Sequence, residues 1–223
     1  MTQQARQAVT APPKHAVIVA HPDADSFALS VARTYCDAVA ARGQVAVLRD
    51  LYRLDFDPVL KASERLPAEP FVPAPDVAAE LDVIAGSSAF VFIYPLWFGT
   101  PPAILKGYVE RVLGAGFSHQ TSVSHRHRPT HPLLGGKHLL SFSSSGSTEK
   151  WVADQGVSQA LATIFDGYLA RAFWMDTPEH IHFGSVREGL AEIDASAHLV
   201  EVRRQAELMC DRVAPKRHGV RTE

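Results

Sequence analysis

Cysteine is scarce: the 223 residues contain only Cys36 and Cys210. Two thiols so far apart form neither a metal-ligand motif nor a disulfide framework. They read as reduced, inert thiols of a cytoplasmic protein. Long apolar runs are lacking too. None approaches the roughly 18 residues a membrane span needs, so no stable membrane insertion is expected. Net charge is nearly absent, −2 from 22 basic and 24 acidic residues. That removes the bulk electrostatic case for a nucleic-acid partner. Fixed-spacing phosphate signatures are missing as well. No GxxxxGK(S/T) P-loop occurs, and no glycine-rich dinucleotide fingerprint follows a strand. Internal repeats and low-complexity tracts are not seen.

What remains is an ordinary globular composition, 46% apolar and 21% charged, long enough for one sizeable core. Residues 1–14 read as a loose tail, 15–213 as one domain and 214–223 as a C-terminal tail. "HAVIVA" (15–20) is a buried strand that stops at "HPDADS". A helix is expected from Phe27 to Ala41, with Asp25 or Ser26 as its cap and Gly43 ending it. "QVAVLRD" is a second strand. Prolines at 67, 70, 73 and 75 make 61–76 a surface excursion, after which Asp76 is expected to cap a helix over 77–85. "AFVFIYP" is the most apolar strand. "AILKGYVERVL" is a helix with Pro101 and Pro102 at its start. "KHLLSFSS" is a strand, "VSQALATIFDGYLA" a helix and "RAFWMD" the expected last strand. Leu199, Val202, Ala206, Met209 and Val213 mark a final amphipathic helix. Five strand-helix alternations mean an α/β fold, a parallel sheet covered on both faces. The flavodoxin-like strand order 2-1-3-4-5 suits it.

In such a sheet, ligands bind beyond the carboxyl ends of the strands. Three loops leave those ends. "HPDADSF" opens a helix, whose free N–H groups favour a phosphate. Ser26 and His21 add donors there, whereas Asp23 and Asp25 oppose an anion. "YPLWFGTPP" places Trp97 and Phe98 on a turn stiffened by glycine and proline, either as core aromatics or as a wall for a flat heterocycle. "SFSSSGSTEKW" lets backbone groups approach a ligand's polar edge. Together the loops describe one slot, with phosphate at one end and a planar ring at the other. A flavin has that shape.

"AHPDADSF", "DLYRLDFDPVL" and "YPLWFGTPPAILKGYVERVLGAGF" resemble, in order and spacing, the flavodoxin-like NAD(P)H:quinone oxidoreductase family. The resemblance runs from about residue 15 to 147 and more loosely to 184. It implies a homodimer with one flavin per subunit, FAD or alternatively FMN. It further implies two-electron hydride transfer from NAD(P)H to a quinone-like acceptor by a ping-pong route. By resemblance His21, Ser26, Phe27 and Ala28 fall on the phosphate loop. Pro95, Leu96, Trp97, Phe98 and Gly99 fall on the ring-binding loop, and Ser144, Ser145 and Gly146 at the flavin's polar edge. Trp151 falls where mammalian members carry a tyrosine near the ring. Two departures stand out: Ala28 replaces an asparagine, and Val157 replaces the active-site histidine of those members. His119, or water, is therefore nominated as proton donor to the acceptor.

Five of eleven histidines crowd into 119–138, but no cysteine or carboxylate stands among them, and no metal site is expected. A flavin-binding ancillary subunit of a membrane transport system is the alternative function. An electron-transfer flavodoxin is a weaker one, because such proteins are strongly acidic.

Overall fold

The computed structural model describes residues 11–64, 72–115, 133–187 and 190–215. Five parallel strands form one sheet: β1 (Lys14–Val19), β2 (Val45–Asp50), β3 (Ala89–Pro95), β4 (His138–Ser144) and β5 (Glu179–Phe183). Their order is β2-β1-β3-β4-β5, as anticipated. Between the strands run helices α1 (Phe27–Ala41), α2 (Pro75–Ile84) and α3 (Ala103–Tyr108), the last extended by a π-turn over Val109–Leu113. After β4 come α4 (Glu149–Asp154) and α5 (Val157–Leu161). A second π-turn, Ala162–Asp166, leads into α6 (Gly167–Ala172), and α7 (Glu192–Val213) follows β5.

Side chains alternate across the sheet, so each buried strand feeds two cores. Ala16, Ile18, Phe90, Phe92 and Tyr94 pack with Leu105, Tyr108, Val112 and Phe165 on one face. Val17, Val19, Val91, Ile93 and Phe142 pack with Leu29, Ala32, Tyr35 of α1 and Val202, Ala206, Met209 of α7 on the other. Burial on both sides is why β1 and β3 read as continuous apolar runs rather than alternating ones.

Three expectations are corrected. The last strand is Glu179–Phe183, not "RAFWMD". Arg171 and Ala172 finish α6, and Trp174 turns the chain with a left-handed backbone, φ 54°. β5 is an edge strand with a single neighbour, so "EHIHF" carries polar residues that disguise it. Asp76 is not a cap: Ala74 stands at the N-cap of α2 with Pro75 next, and the Asp76 carboxylate instead pairs with Arg111 at 2.7 Å. Finally, "STEKW" is not all loop. The Thr148 hydroxyl accepts from the Trp151 N–H and caps α4, which puts Trp151 on a helix.

A buried ion pair ties the excursion after β2 to the sheet. Arg111, on the π-turn of α3, donates to both oxygens of Glu64 at 2.8 and 2.7 Å and to the Asp57 carbonyl. Arg111 and Glu64 are both buried. Arg111 also pairs with Asp76, which is half exposed, and the Lys61 backbone N–H donates to Glu64 at 3.0 Å.

Candidate active site

The carboxyl ends of β1, β3 and β4 open into two adjoining cavities. Ser26 is the N-cap of α1, and its oxygen accepts from the Leu29 N–H. The first-turn N–H groups of Phe27 and Ala28 have no carbonyl one turn back to serve. They stand, with the Ser26 hydroxyl, at a cavity of about 680 Å³. His21 joins that wall. Its Nδ1 lies 3.0 Å from the Asp23 N–H and 3.3 Å from the Asp23 carbonyl; in the tautomer that accepts from that N–H, the shorter contact, Nε2–H is a donor. Asp23 and Asp25 also line the cavity. One Asp23 carboxylate oxygen is engaged by the Asp25 N–H at 2.9 Å. Pro95, Leu96, Trp97, Ser144, Ser145 and Gly146 complete this wall from the β3 and β4 ends.

Trp97 to Thr100 form a tight turn closed in both directions, Trp97 N–H to Thr100 O at 3.0 Å and Thr100 N–H to Trp97 O at 3.2 Å. Its central residues, Phe98 and Gly99, both have left-handed backbones, φ 52° and 78°. Glycine adopts this freely; an aromatic does so only against strain. The result is an aromatic pushed out of the core. Phe98 is fully exposed and Trp97 is 40% exposed. Core packing of these rings, the bland alternative for "YPLWFGTPP", is not what the chain does.

Phe98 and Gly99 lead into the second cavity, about 390 Å³, with Leu96, Ser145, Trp151, Val152 and Val157 among its walls. Leu96 and Ser145 line both cavities. The Leu96 N–H donates to Ser144 O at 2.7 Å, which fixes the β3 loop against the β4 loop at that junction. Trp151 stands at the mouth, half exposed. The arrangement is an elongated cleft, rich in donors at the α1 end and apolar at the other.

Thus His21, Ser26, Phe27, Ala28, Pro95 to Gly99, Ser144 to Gly146 and Trp151 all lie on one continuous wall. His119 lies outside the described residues. Sequence reasoning missed Val186 and Arg187, which reach the polar cavity from the loop after β5. Misplacing β5 hid that loop. The loop is locked to the site: Val186 N–H donates to Ser145 O and Ser185 N–H to Ser147 O. Arg187 adds the guanidinium that the two aspartates would otherwise leave unanswered near an anion.

The donor set answers whether a flavin fits. Helix-start N–H groups, a serine hydroxyl, an imidazole N–H and a guanidinium suit a phosphate. The apolar cavity, walled by aromatic and aliphatic groups, suits a flat ring. A Cβ placed on Gly146 would stand in ordinary contact with Val186 O at 3.8 Å and Arg187 Cγ at 4.0 Å. Among the described residues no cluster of three or more acidic, histidine or cysteine side chains could hold a metal ion. No helix among them is long and apolar enough to cross a membrane.

Comparison with known proteins agrees with this geometry. Residues 13–206 match a family described as having a flavodoxin-like fold. The uncharacterized NAD(P)H oxidoreductase of Haemophilus influenzae is 29% identical over 192 residues, 86% of this chain and 92% of its own. NAD(P)H dehydrogenase (quinone) 1 of Rattus norvegicus is 30% identical over 149 residues, 59% of this chain but only 53% of the rat protein. Among solved structures, the NAD(P)H:quinone oxidoreductase from Methanothermobacter marburgensis superposes with a TM-score of 0.74 at 24% identity, covering 88% of this chain and 96% of that one. An FMN-dependent NADH-azoreductase from Bacillus anthracis, solved with FMN, superposes at 0.56 and 16% identity over 91% of this chain and 100% of its own. The chain belongs to the flavodoxin-like family, alongside NAD(P)H oxidoreductases and quinone reductases.

Proposed function

We propose that the protein is a flavin-dependent NAD(P)H oxidoreductase that reduces a quinone-like acceptor. The observation that carries this reading is the single cleft with two chemistries, joined at Leu96 and Ser145. A bound flavin supplies hydride chemistry, and the protein supplies position and electrostatics. Ser26, His21, the α1 start and Arg187 would hold the phosphate. Trp97, Leu96 and the Ser144–Gly146 loop would hold the ring, and Phe98 and Trp151 would wall the outer face. The FMN bound by the azoreductase supports a flavin. We favour FAD by resemblance to the longer members of the family; FMN is the alternative, because Ala28 offers no side-chain donor for the extra phosphate or adenylate that FAD carries.

The apolar cavity is small, about 390 Å³. Nicotinamide and acceptor would take turns in it, which is the physical basis for a ping-pong order. Phe98 and Trp151 are exposed beside the cavity mouth. A second copy of the chain would cover them, and a cytoplasmic homodimer is the assembly we favour. His119, or water, is the proton donor nominated by sequence position alone.

The test is to purify the protein, titrate it with FMN and FAD, and follow NAD(P)H oxidation with a benzoquinone. Flavin released by denaturation, run on a column, identifies the cofactor. A protein that takes up neither flavin overturns the reading. One that binds flavin yet turns over neither nicotinamide favours the ancillary-subunit alternative.

A further inference from the structure

Behind Ser145 a chain of side chains runs into the protein, and the ring-binding role does not account for it. Asp166, buried on the second π-turn, accepts from the Ser141 hydroxyl at 2.6 Å and faces His180 Nδ1 at 2.6 Å. His180 Nε2 lies 2.7 Å from Ser143 Oγ, and Ser143 Oγ lies 2.8 Å from His182 Nδ1. His182 Nε2 lies 3.0 Å from Ser145 Oγ, which is 3.1 Å from the Ser147 carbonyl. Register builds the chain: Ser141 pairs with His180 and Ser143 with His182 across β4 and β5. Residues two apart share a face, so all four side chains point the same way. A pocket of about 250 Å³ borders both histidines and adjoins the ring cavity through Leu96 and Val152.

We propose that Asp166, His180, Ser143, His182 and Ser145 form a one-proton relay that delivers a hydrogen-bond donor, and a proton, to the oxyanion formed in the slot. This rests on the oxidoreductase reading above. Ser143 has one hydroxyl hydrogen for two imidazole neighbours, so it donates to one and accepts from the other. With His182 neutral and Asp166 accepting from His180 Nδ1–H, two consistent arrangements follow. In the charged one, His180 holds protons on both nitrogens against the Asp166 carboxylate. Its Nε2–H donates to Ser143, Ser143 donates to His182 Nδ1, and His182 Nε2–H donates to Ser145. The Ser145 hydroxyl then points away from His182, as a donor toward Ser147 O or a ligand. In the neutral one, His180 keeps only the Nδ1 proton. Ser143 donates to His180, His182 Nδ1–H donates to Ser143, and Ser145 donates inward to His182 Nε2.

The two differ by one proton and interconvert without atoms left over. Hydride that originates on the nicotinamide and is handed on through the chemistry a bound flavin supplies would convert the quinone-like acceptor to its phenolate-type oxyanion. The Ser145 O–H bond breaks as its proton joins that oxygen. Ser145 takes the His182 Nε2 proton, His182 takes the Ser143 proton, and Ser143 takes the His180 Nε2 proton. One positive charge leaves His180 and one negative charge is neutralised in the slot.

The surroundings hold the charge on the right histidine. Burial, then the His180 charge, lowers the His182 pKa, which keeps His182 neutral. His180 faces Asp166 from the π-turn, the Tyr94 ring from β3 at 6.3 Å, and Ser143 from β4. Tyr94 is kept protonated by burial and by the Asp166 charge. Glu149 of α4 is the acid near His182, and Glu179 is committed to Arg212 of α7.

The test is ¹⁵N NMR of the histidine rings in the full chain, flavin-free, across pH. The expected result is that His182 switches from the Nε2–H to the Nδ1–H tautomer as His180 loses its proton. His182 keeping one tautomer throughout that titration overturns the relay. Ser143→Ala is expected to uncouple the two rings, and Ser143→Thr to restore the coupling. A separate readout is the FMN dissociation constant. Its expected rise above the His180 transition is up to about tenfold per pH unit, one proton's linkage, and the slope is expected to vanish in Ser143→Ala. If the tautomer switch is present and FMN never binds, the relay stands and the flavin reading fails. If FMN binds and the switch is absent, the relay fails alone.

Discussion

Replacing Trp97 by alanine removes a ring from the cleft without touching the turn that presents it. That turn is held by the Trp97 backbone, through its N–H and carbonyl to Thr100, and alanine keeps both. Trp97 is 40% exposed. A tryptophan offers on the order of 250 Å², so about 100 Å² awaits cover. At ~25 cal/mol per Å², covering all of it is worth ~2.5 kcal/mol, and covering half of it ~1.2 kcal/mol. The expected loss of flavin affinity is therefore about 8- to 70-fold. The assay is fluorescence titration of FMN and FAD into wild type and Trp97→Ala, with thermal midpoints measured alongside. Among the described residues the ring close to Trp97 is that of His21, tilted, at 6.2 Å, so the midpoint is expected to move little. Affinity within twofold of wild type, in a protein with an unchanged midpoint, would refute the placement of the ring against this loop.

Arg111→Met leaves Glu64 buried without its partner, and the expected cost is about 3–5 kcal/mol by urea denaturation. Hydrogen bonds from Arg111 hold the Glu64 and Asp76 carboxyls below their usual range. In wild type this stability is present above the ordinary carboxylate pKa and is lost as pH falls through the depressed folded values. In Arg111→Met, burial and the Asp76 charge outweigh the Lys61 backbone N–H that still lowers Glu64, so its carboxyl is expected to rise above the usual range and stability to increase on acidification. The same slope in both proteins refutes the pairing as the cause. His119→Ala is expected to lower quinone turnover and shift its pH profile if that side chain donates the proton. An unchanged profile transfers the role to the buried relay or to water. Sedimentation at micromolar concentration is expected to give twice the chain mass, and a monomer with full turnover refutes the shared mouth. Trp151→Ala is expected to weaken catalysis more than flavin binding, read by separating the FMN dissociation constant from kcat/KM.

How much could be read from the chain follows from how far its signals travel. Strands β1 and β3 are buried on both sides, and that makes them continuous apolar runs legible in the sequence. Helix α1 carries its own stop and start, Gly43 and Ser26. Wherever strand and helix alternate in a parallel sheet, connection geometry sends every strand-to-helix loop to the same edge. Residues as distant as His21, Trp97 and Ser145 could therefore be assigned to one site before any coordinate was known. The exposure of Trp97 and Phe98 was not decided by composition, because it depends on a left-handed backbone at Phe98 that an aromatic adopts only when the turn demands it. Edge strand β5 was illegible for a related reason: with one neighbour it need not be apolar, and "RAFWMD" looked more like a strand than "EHIHF" did. Arg187 was lost with it. The Asp166-to-Ser145 chain had no local signal at all. Its histidines and serines lie about forty residues apart in sequence and meet only because β4 and β5 pair in one register. A slip of one residue would turn both histidines to the other face.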